Sequence, residues 1–313
     1  MKAVLLFALT LGAAAPALAQ TTVQPQAVNR FAATIAPAER FEIRGMLVER
    51  HGSAGQTTRP LILIPGLATG GWVWQETVRA LAGSHTIYVV TLPGFDGRPA
   101  LEGPPFDNAK AALAELIASR RLAKPVLIGH SIGATLSIAL AEDLPDTLGG
   151  AVAIDGLPVF PRTEDMPPAQ RAQMADAVRR QMAATVGPAF AAQQRQYMRN
   201  IGLVDMGKAD DVAALTARSD PAAVAAYAGA VMALDLRPSL PKIKAPVLMM
   251  VPAYGPDAAL VGMSGSEKLG YYRELMAGTA KLDVLLIDNA RHFAMLDQPG
   301  AVNDGLRQFL NKL

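Results

Sequence analysis

Val126-Leu127-Ile128-Gly129-His130-Ser131-Ile132-Gly133-Ala134 is an apolar run interrupted by Gly-x-Ser-x-Gly and resumed as Thr135-Leu136-Ser137-Ile138-Ala139-Leu140-Ala141. An apolar run closed by glycine and followed by a second apolar stretch reads as a buried strand, a sharp turn and a helix. Gly129 and Gly133 leave room where the strand end and the helix start crowd together. Ser131 is therefore expected on a strained turn, its hydroxyl exposed and the helix N-terminus behind it. That is the setting of a nucleophile.

A serine hydroxyl is a weak nucleophile at neutral pH and needs a base within hydrogen-bond reach, most often a histidine. The chain has four histidines. His51 lies in an early strand region, and His85 precedes a buried strand on its N-terminal side. His130 adjoins Ser131 but projects from the strand in another direction. His292 follows the last strand at its C-terminal end, where Ser131 also lies and where open α/β sheets place their sites. It is the candidate base.

The elements that position these residues alternate. Residues 20–40 mix Thr, Gln, Pro and Ala without periodicity and read as a flexible lead-in. Phe41 to Arg50 reads as one or two edge strands, with Gly45 at a turn or bulge. Leu61 to Ile64, Ile87 to Leu92, Val126 to His130, Gly150 to Ile154, Pro246 to Val251 and Leu282 to Ile287 are apolar runs of the kind buried on both faces of a parallel sheet. Helical stretches are expected at Trp72–Leu81 and Asn108–Arg120. Strands separated by helical crossovers argue for an α/β fold with a mostly parallel central sheet flanked by helices. Residues 157–240 differ in texture, being rich in Ala, Met, Gln and Arg, with helix-length pieces at Pro168–Ala184, Ala189–Asn200 and Pro221–Leu234. They read as an inserted helical cap between two core segments, 41–156 and 241–313. Met166, Met174, Met182, Met198 and Met206 offer this insertion adaptable apolar surface.

Met1-Lys2, the apolar Ala3–Leu11 and the small-x-small triplet Ala17-Leu18-Ala19 read as a secretory signal peptide over residues 1–19, cut after Ala19. The apolar part is too short to span a bilayer, so no stable membrane anchor is expected once it is removed. The chain has no cysteine. An exported protein without disulfides fits the periplasm better than a harsher extracellular setting, though a secreted location stays open. The net charge of +2, with basic residues scattered, gives no expectation of a nucleic-acid partner. Four dispersed histidines and no cysteine suggest no metal site, and no Gly-x-Gly-x-x-Gly follows a strand, so no cofactor is expected.

Taken together, Ile64-Pro65-Gly66-Leu67, Leu92-Pro93-Gly94-Phe95, Gly129-His130-Ser131-Ile132-Gly133, Asp235-Leu236-Arg237 leading into Ile243-Lys244-Ala245-Pro246-Val247-Leu248, and Arg291-His292-Phe293-Ala294-Met295-Leu296 resemble the α/β-hydrolase superfamily, serine esterase- and lipase-like. The resemblance implies a Ser-His-acid triad in the chain order nucleophile, acid, base. It places the acid after the strand Pro246–Val251, where Asp257 is the first carboxylate, in a loop that departs from the usual pattern. Some members use the position of Asp155 instead, and that alternative stays open. Asp297 is expected to start the final helix and Asp288 to belong to the turn before His292.

The oxyanion donors implied are the backbone N–H groups of Ile132 and Leu67. Trp72, Trp74 and His130 are candidates for the substrate pocket. Haloalkane dehalogenases and epoxide hydrolases carry aspartate where this chain has Ser131, which argues against those activities. The expectation is an exported serine hydrolase that cleaves a carboxylic ester or lactone of a small-to-medium apolar substrate. The alternatives are carbon–carbon hydrolysis, hydroxynitrile lysis or perhydrolysis on the same triad, or a slow-turnover, receptor-like ligand-binding protein. Oligomeric state is not legible at this level.

Overall fold

The computed structural model describes residues 31, 34–52 and 58–313. The expected signal peptide and most of the lead-in lie outside the described residues. Eight strands form one sheet: β1 (Glu39–Ile43), β2 (Met46–His51), β3 (Leu61–Ile64), β4 (Ile87–Thr91), β5 (Val126–His130), β6 (Gly150–Ile154), β7 (Val247–Ala253) and β8 (Leu282–Asp288). Their spatial order is β1-β2-β4-β3-β5-β6-β7-β8. The hairpin β1–β2 and its junction with β4 are antiparallel, and every other pairing is parallel. Arg44 and Gly45, both at positive φ, make the two-residue turn of that hairpin.

The helices are α1 (Gln75–Leu81), α2 (Pro105–Ser119), α3 (Ile132–Asp143), α4 (Pro168–Ala183), α5 (Gly187–Tyr197), α6 (Met206–Thr216), α7 (Pro221–Ala233), α8 (Ala258–Val261), α9 (Gly265–Leu275), α10 (Ala294–Asp297) and α11 (Pro299–Leu310). Every residue of β3, β4, β5 and β6 is buried, because helices cover both faces. Successive residues of β3 serve opposite faces. Ile62 and Ile64 join the core containing Leu113 and Leu116 of α2 and Leu275 of α9. Leu61 and Leu63 join the core containing Val78 of α1 and Leu306 of α11. No helix among the described residues is long and apolar enough to cross a membrane.

The chain between β6 and β7 holds α4 to α7 and a π-helical turn, Met198–Gly202. Its two ends meet through the bridge Val159–Asp235 and the Leu236 N–H donating to the Pro158 carbonyl at 2.8 Å. Helix α6 has no counterpart among the expected elements. Its first turn, Met206-Gly207-Lys208, has no apolar periodicity, and its start is instead signalled by Asp205, whose carboxylate accepts from the Lys208 N–H. The insertion reaches the loops that follow three parallel strands. The Ser219 hydroxyl donates to the Ala68 carbonyl after β3, Asp220 N–H donates to Gly94 O after β4, and Ile201 and Gly202 carbonyls accept from His292 and Phe293 after β8.

Candidate active site

Ser131 ends β5 and precedes α3 with φ 54° and ψ −120°, a conformation that costs an L-residue roughly 1–3 kcal/mol. The two flanking glycines permit it. A Cβ on Gly129 would sit 2.0 Å from the Gly133 carbonyl oxygen, and one on Gly133 would sit 2.4 Å from the Ile64 carbonyl oxygen. Ser131 N–H donates to Ile154 O of the neighbouring strand at 2.9 Å, which fixes the turn against the end of β6.

His292 lies beyond the C-terminal end of β8, and His51 and His85 lie at the opposite end of the sheet, where His51 pairs with Ile87, the first residue of β4. Three elements hold His292. Its N–H donates to Ile201 O of the π-turn at 3.2 Å. Its carbonyl accepts from His130 Nε2 at 2.9 Å, and its Nδ1 lies 2.6 Å from Asp155 Oδ2. Donation of Nδ1–H to the carboxylate leaves Nε2 as the lone-pair nitrogen.

The carboxylate on His292 is thus Asp155, and the expectation for Asp257 is corrected. Asp257 forms a two-pronged pair with Arg291, Nε to Oδ2 at 2.7 Å and Nη2 to Oδ1 at 2.6 Å. A planar guanidinium matches a carboxylate in two bonds at once and outcompetes a single imidazole. Arg291 in turn donates to the carbonyls of Arg199 and Leu203, so Asp257 serves to brace the insertion against the His292 loop. Asp297 likewise does not start the last helix. It ends α10 and accepts the N–H groups of Arg291 and Val204.

Asp155 follows β6, the strand beside Ser131, at φ 46°. Its Oδ1 accepts the Tyr272 hydroxyl at 2.5 Å and lies 3.4 Å from Lys268 Nζ. Burial alone would push this carboxyl up. The Lys268 ammonium and the hydrogen bonds from His292 and Tyr272 outweigh it and hold Asp155 well below the usual carboxylate range. Tyr272 is driven the other way, by burial and then by the Asp155 charge, and stays a neutral donor. Tyr272 and Lys268 carry no local sequence signal, since they sit on α9, over a hundred residues from Asp155.

Leu67 and Ile132, the candidate oxyanion donors, lie on the loop that passes Ser131 and directly after it in the chain. Ile132 opens α3, so its N–H has no acceptor one turn earlier. The Gly66–Leu67 loop crosses so close that a Cβ on Gly66 would sit 3.1 Å from Ser131 Cβ. The Thr69 hydroxyl donates back to Gly66 O at 2.8 Å and closes this loop.

The three pocket candidates are all buried. Trp74 is fully buried and Trp72 nearly so, with the Phe31 ring tilted against Trp72 at 5.7 Å between centroids. Both belong to the core that contains Val78 of α1 and Leu61 and Leu63 of β3, burying large apolar area there. His130 is also fully buried, packed between His292 and Phe293. Burial, then the neighbouring His292, push it well below the usual histidine range, so it stays neutral and braces His292 from behind.

A sequence model of the alpha/beta hydrolase family matches residues 61–304, which spans both the nucleophile turn and the His292 loop. The chain belongs to the alpha/beta hydrolase family. Among its curated relatives, a pimeloyl-[acyl-carrier protein] methyl ester esterase of Xanthomonas oryzae pv. oryzae is 30% identical over 228 residues, covering 67% of this chain and 82% of that protein. The enzyme of that name from Aeromonas salmonicida is 32% identical over 120 residues, covering 38% of this chain and 45% of its own length, so the match spans less than half of that relative. A thermophilic esterase from Thermogutta terrifontis superposes with a TM-score of 0.66 at 23% identity, covering 88% of this chain and 99% of that one. At that identity the superposition speaks for the fold. It agrees with the eight-stranded, mostly parallel sheet described above.

Proposed function

We propose that this alpha/beta hydrolase is an exported serine hydrolase that cleaves a carboxylic ester or lactone through a Ser131 acyl-enzyme. The observation that carries the reading is the 2.6 Å contact of His292 Nδ1 with Asp155 Oδ2, made at the C-terminal ends of the parallel strands, where Ser131 sits on its strained turn. Two relatives named as methyl ester esterases support an ester rather than another acyl derivative.

In this reading Ser131 Oγ bonds to the carbonyl carbon while its proton passes to His292 Nε2, and Asp155 stabilises the imidazolium. The carbonyl electron pair moves onto oxygen, where the Leu67 and Ile132 amides receive it. Collapse breaks the ester C–O bond, and His292 gives its proton to the departing alkoxide. Water then repeats the sequence on the acyl-enzyme and releases the acid. The insertion between β6 and β7 acts as the cap that shapes an apolar acyl site, and residues 1–19 direct export.

The test is a burst-phase assay on a graded series of p-nitrophenyl esters, with Ser131→Ala and His292→Ala beside the wild type. Serine-dependent turnover with a chain-length optimum is expected, with each variant folded and nearly inactive. Wild-type activity in either variant would overturn the triad. Failure of the wild type to turn over any ester, with Ser131 still labelled by a fluorophosphonate, would remove the ester reading but keep the nucleophile. N-terminal sequencing of the exported protein is expected to begin at Gln20; retention of an uncleaved N-terminus in the cytoplasm would overturn export.

A further inference from the structure

We infer that Tyr272 and Lys268, on helix α9, are positioning residues of the triad: they hold Asp155 Oδ1 so that Oδ2 alone faces His292. This deepens the proposed function and rests on it.

The geometry assigns the two oxygens separate partners. Oδ1 takes the Tyr272 hydroxyl at 2.5 Å and the Lys268 ammonium at 3.4 Å, and Oδ2 takes His292 at 2.6 Å. A carboxylate with one bond could rotate about χ2, whereas one gripped at both oxygens from two elements cannot. Asp155 needs such a grip, because it sits at positive φ on the loop after β6 rather than inside a regular element.

The gripping residues are themselves held. Lys268 Nζ donates to the Pro252 carbonyl at the end of β7 and lies 5.2 Å from the Tyr272 ring centroid. Helix α9 starts at a reciprocal cap, in which Ser264 and Glu267 satisfy each other's N–H groups. The adjacent Tyr271 hydroxyl accepts the Arg162 N–H at 3.0 Å and donates to Glu164 at 2.8 Å. One helix therefore touches the acid with one tyrosine and the first segment of the insertion with the next.

Lys268 also places a positive charge beside the dyad. The ionisable groups facing His292 are Asp155 after β6, His130 of β5 and Tyr197 of α5, with its ring edge-on at 6.1 Å; Lys268 and Tyr272 of α9 stand behind Asp155. Arg291 precedes it, its charge matched by Asp257. Lys268 is the cation not otherwise paired with a carboxylate in this set, so it opposes the imidazolium that forms during acyl transfer.

The test follows fluorophosphonate labelling of Ser131 against pH, which reads the armed nucleophile without needing the natural substrate. Tyr272→Phe is expected to slow labelling about tenfold, the range of a lost hydrogen bond to a charged group. In an Asp155→Asn background the same change is expected to cost little, because the carboxylate it served is gone. Lys268→Met is expected to move the acid limb of the profile up by about half a unit to one unit, the size of a nearby charge removed. A purely structural role would lower the folded fraction and leave the limb and the Asp155 dependence unmoved. Variants that label like the wild type, or a Tyr272→Phe loss undiminished without Asp155, would overturn the positioning role while leaving the triad intact. A wild type that does not label would overturn both.

Discussion

Replacing Asp155 by asparagine has an outcome that the surroundings dictate. The Tyr272 hydroxyl and the Lys268 ammonium both donate to Oδ1, so the amide must place its oxygen there and turn its NH2 toward His292. Nδ1 then has to accept a hydrogen bond, and the imidazole proton moves to Nε2, where it cannot receive the Ser131 proton. This tautomer error costs about 10^4 in kcat when a triad aspartate becomes asparagine, about 5.4 kcal/mol at 1.36 per tenfold. Asp257→Asn instead weakens one prong of the Arg291 pair, and Arg291 keeps its bonds to the Arg199 and Leu203 carbonyls. Its expected loss is about tenfold or less, the scale of a partly exposed ion pair. Steady-state kcat and burst amplitude on a short p-nitrophenyl ester measure both. A larger loss from Asp257→Asn than from Asp155→Asn would refute the assignment, and equal small losses would refute the tautomer argument.

Gly129→Ala forces a methyl group to within 2.0 Å of the Gly133 carbonyl oxygen and is expected to cost at least 3 kcal/mol, roughly, read as a fall in the urea midpoint or absence of soluble protein. His130→Phe keeps the ring but leaves the His292 carbonyl without its 2.9 Å donor; stability is expected to drop by about 1–3 kcal/mol, with kcat falling and KM little changed. Glu142, buried on α3, is raised to about 7 by burial and then by Asp143. The folded state therefore holds its proton more tightly than the unfolded chain, and stability from this group is present at low pH and is lost as pH climbs from about 4.5 to about 7. Glu142→Gln is expected to flatten that part of the stability–pH curve and to exceed the wild type above pH 7 by about 1–3 kcal/mol, measured by urea unfolding at several pH values; parallel curves would contradict it.

The strained Ser131 turn, the place of His292 and the parallel sheet were legible in the sequence for local reasons. Gly129 and Gly133 bracket Ser131 because a strand and a helix cannot otherwise approach that closely, and a doubly covered strand such as Leu61–Ile64 must be apolar throughout. The position of His292 followed from lying past the last strand. The acid was not legible, because Asp155 and Asp257 both follow parallel strands and either loop could supply a carboxylate. Arg291 decided between them by engaging both oxygens of Asp257, and α9 decided again by bringing Tyr272 and Lys268 to Asp155. Trp72 and Trp74 were legible as large rings close in sequence to the Gly66–Leu67 loop, whereas their burial is a property of the folded core. Residue type and spacing thus determined which atoms could react, since those constraints act over a few bonds. Which carboxylate completes the site was decided by partners remote in sequence, because hydrogen-bond competition is settled only when the folded chain brings the donors together.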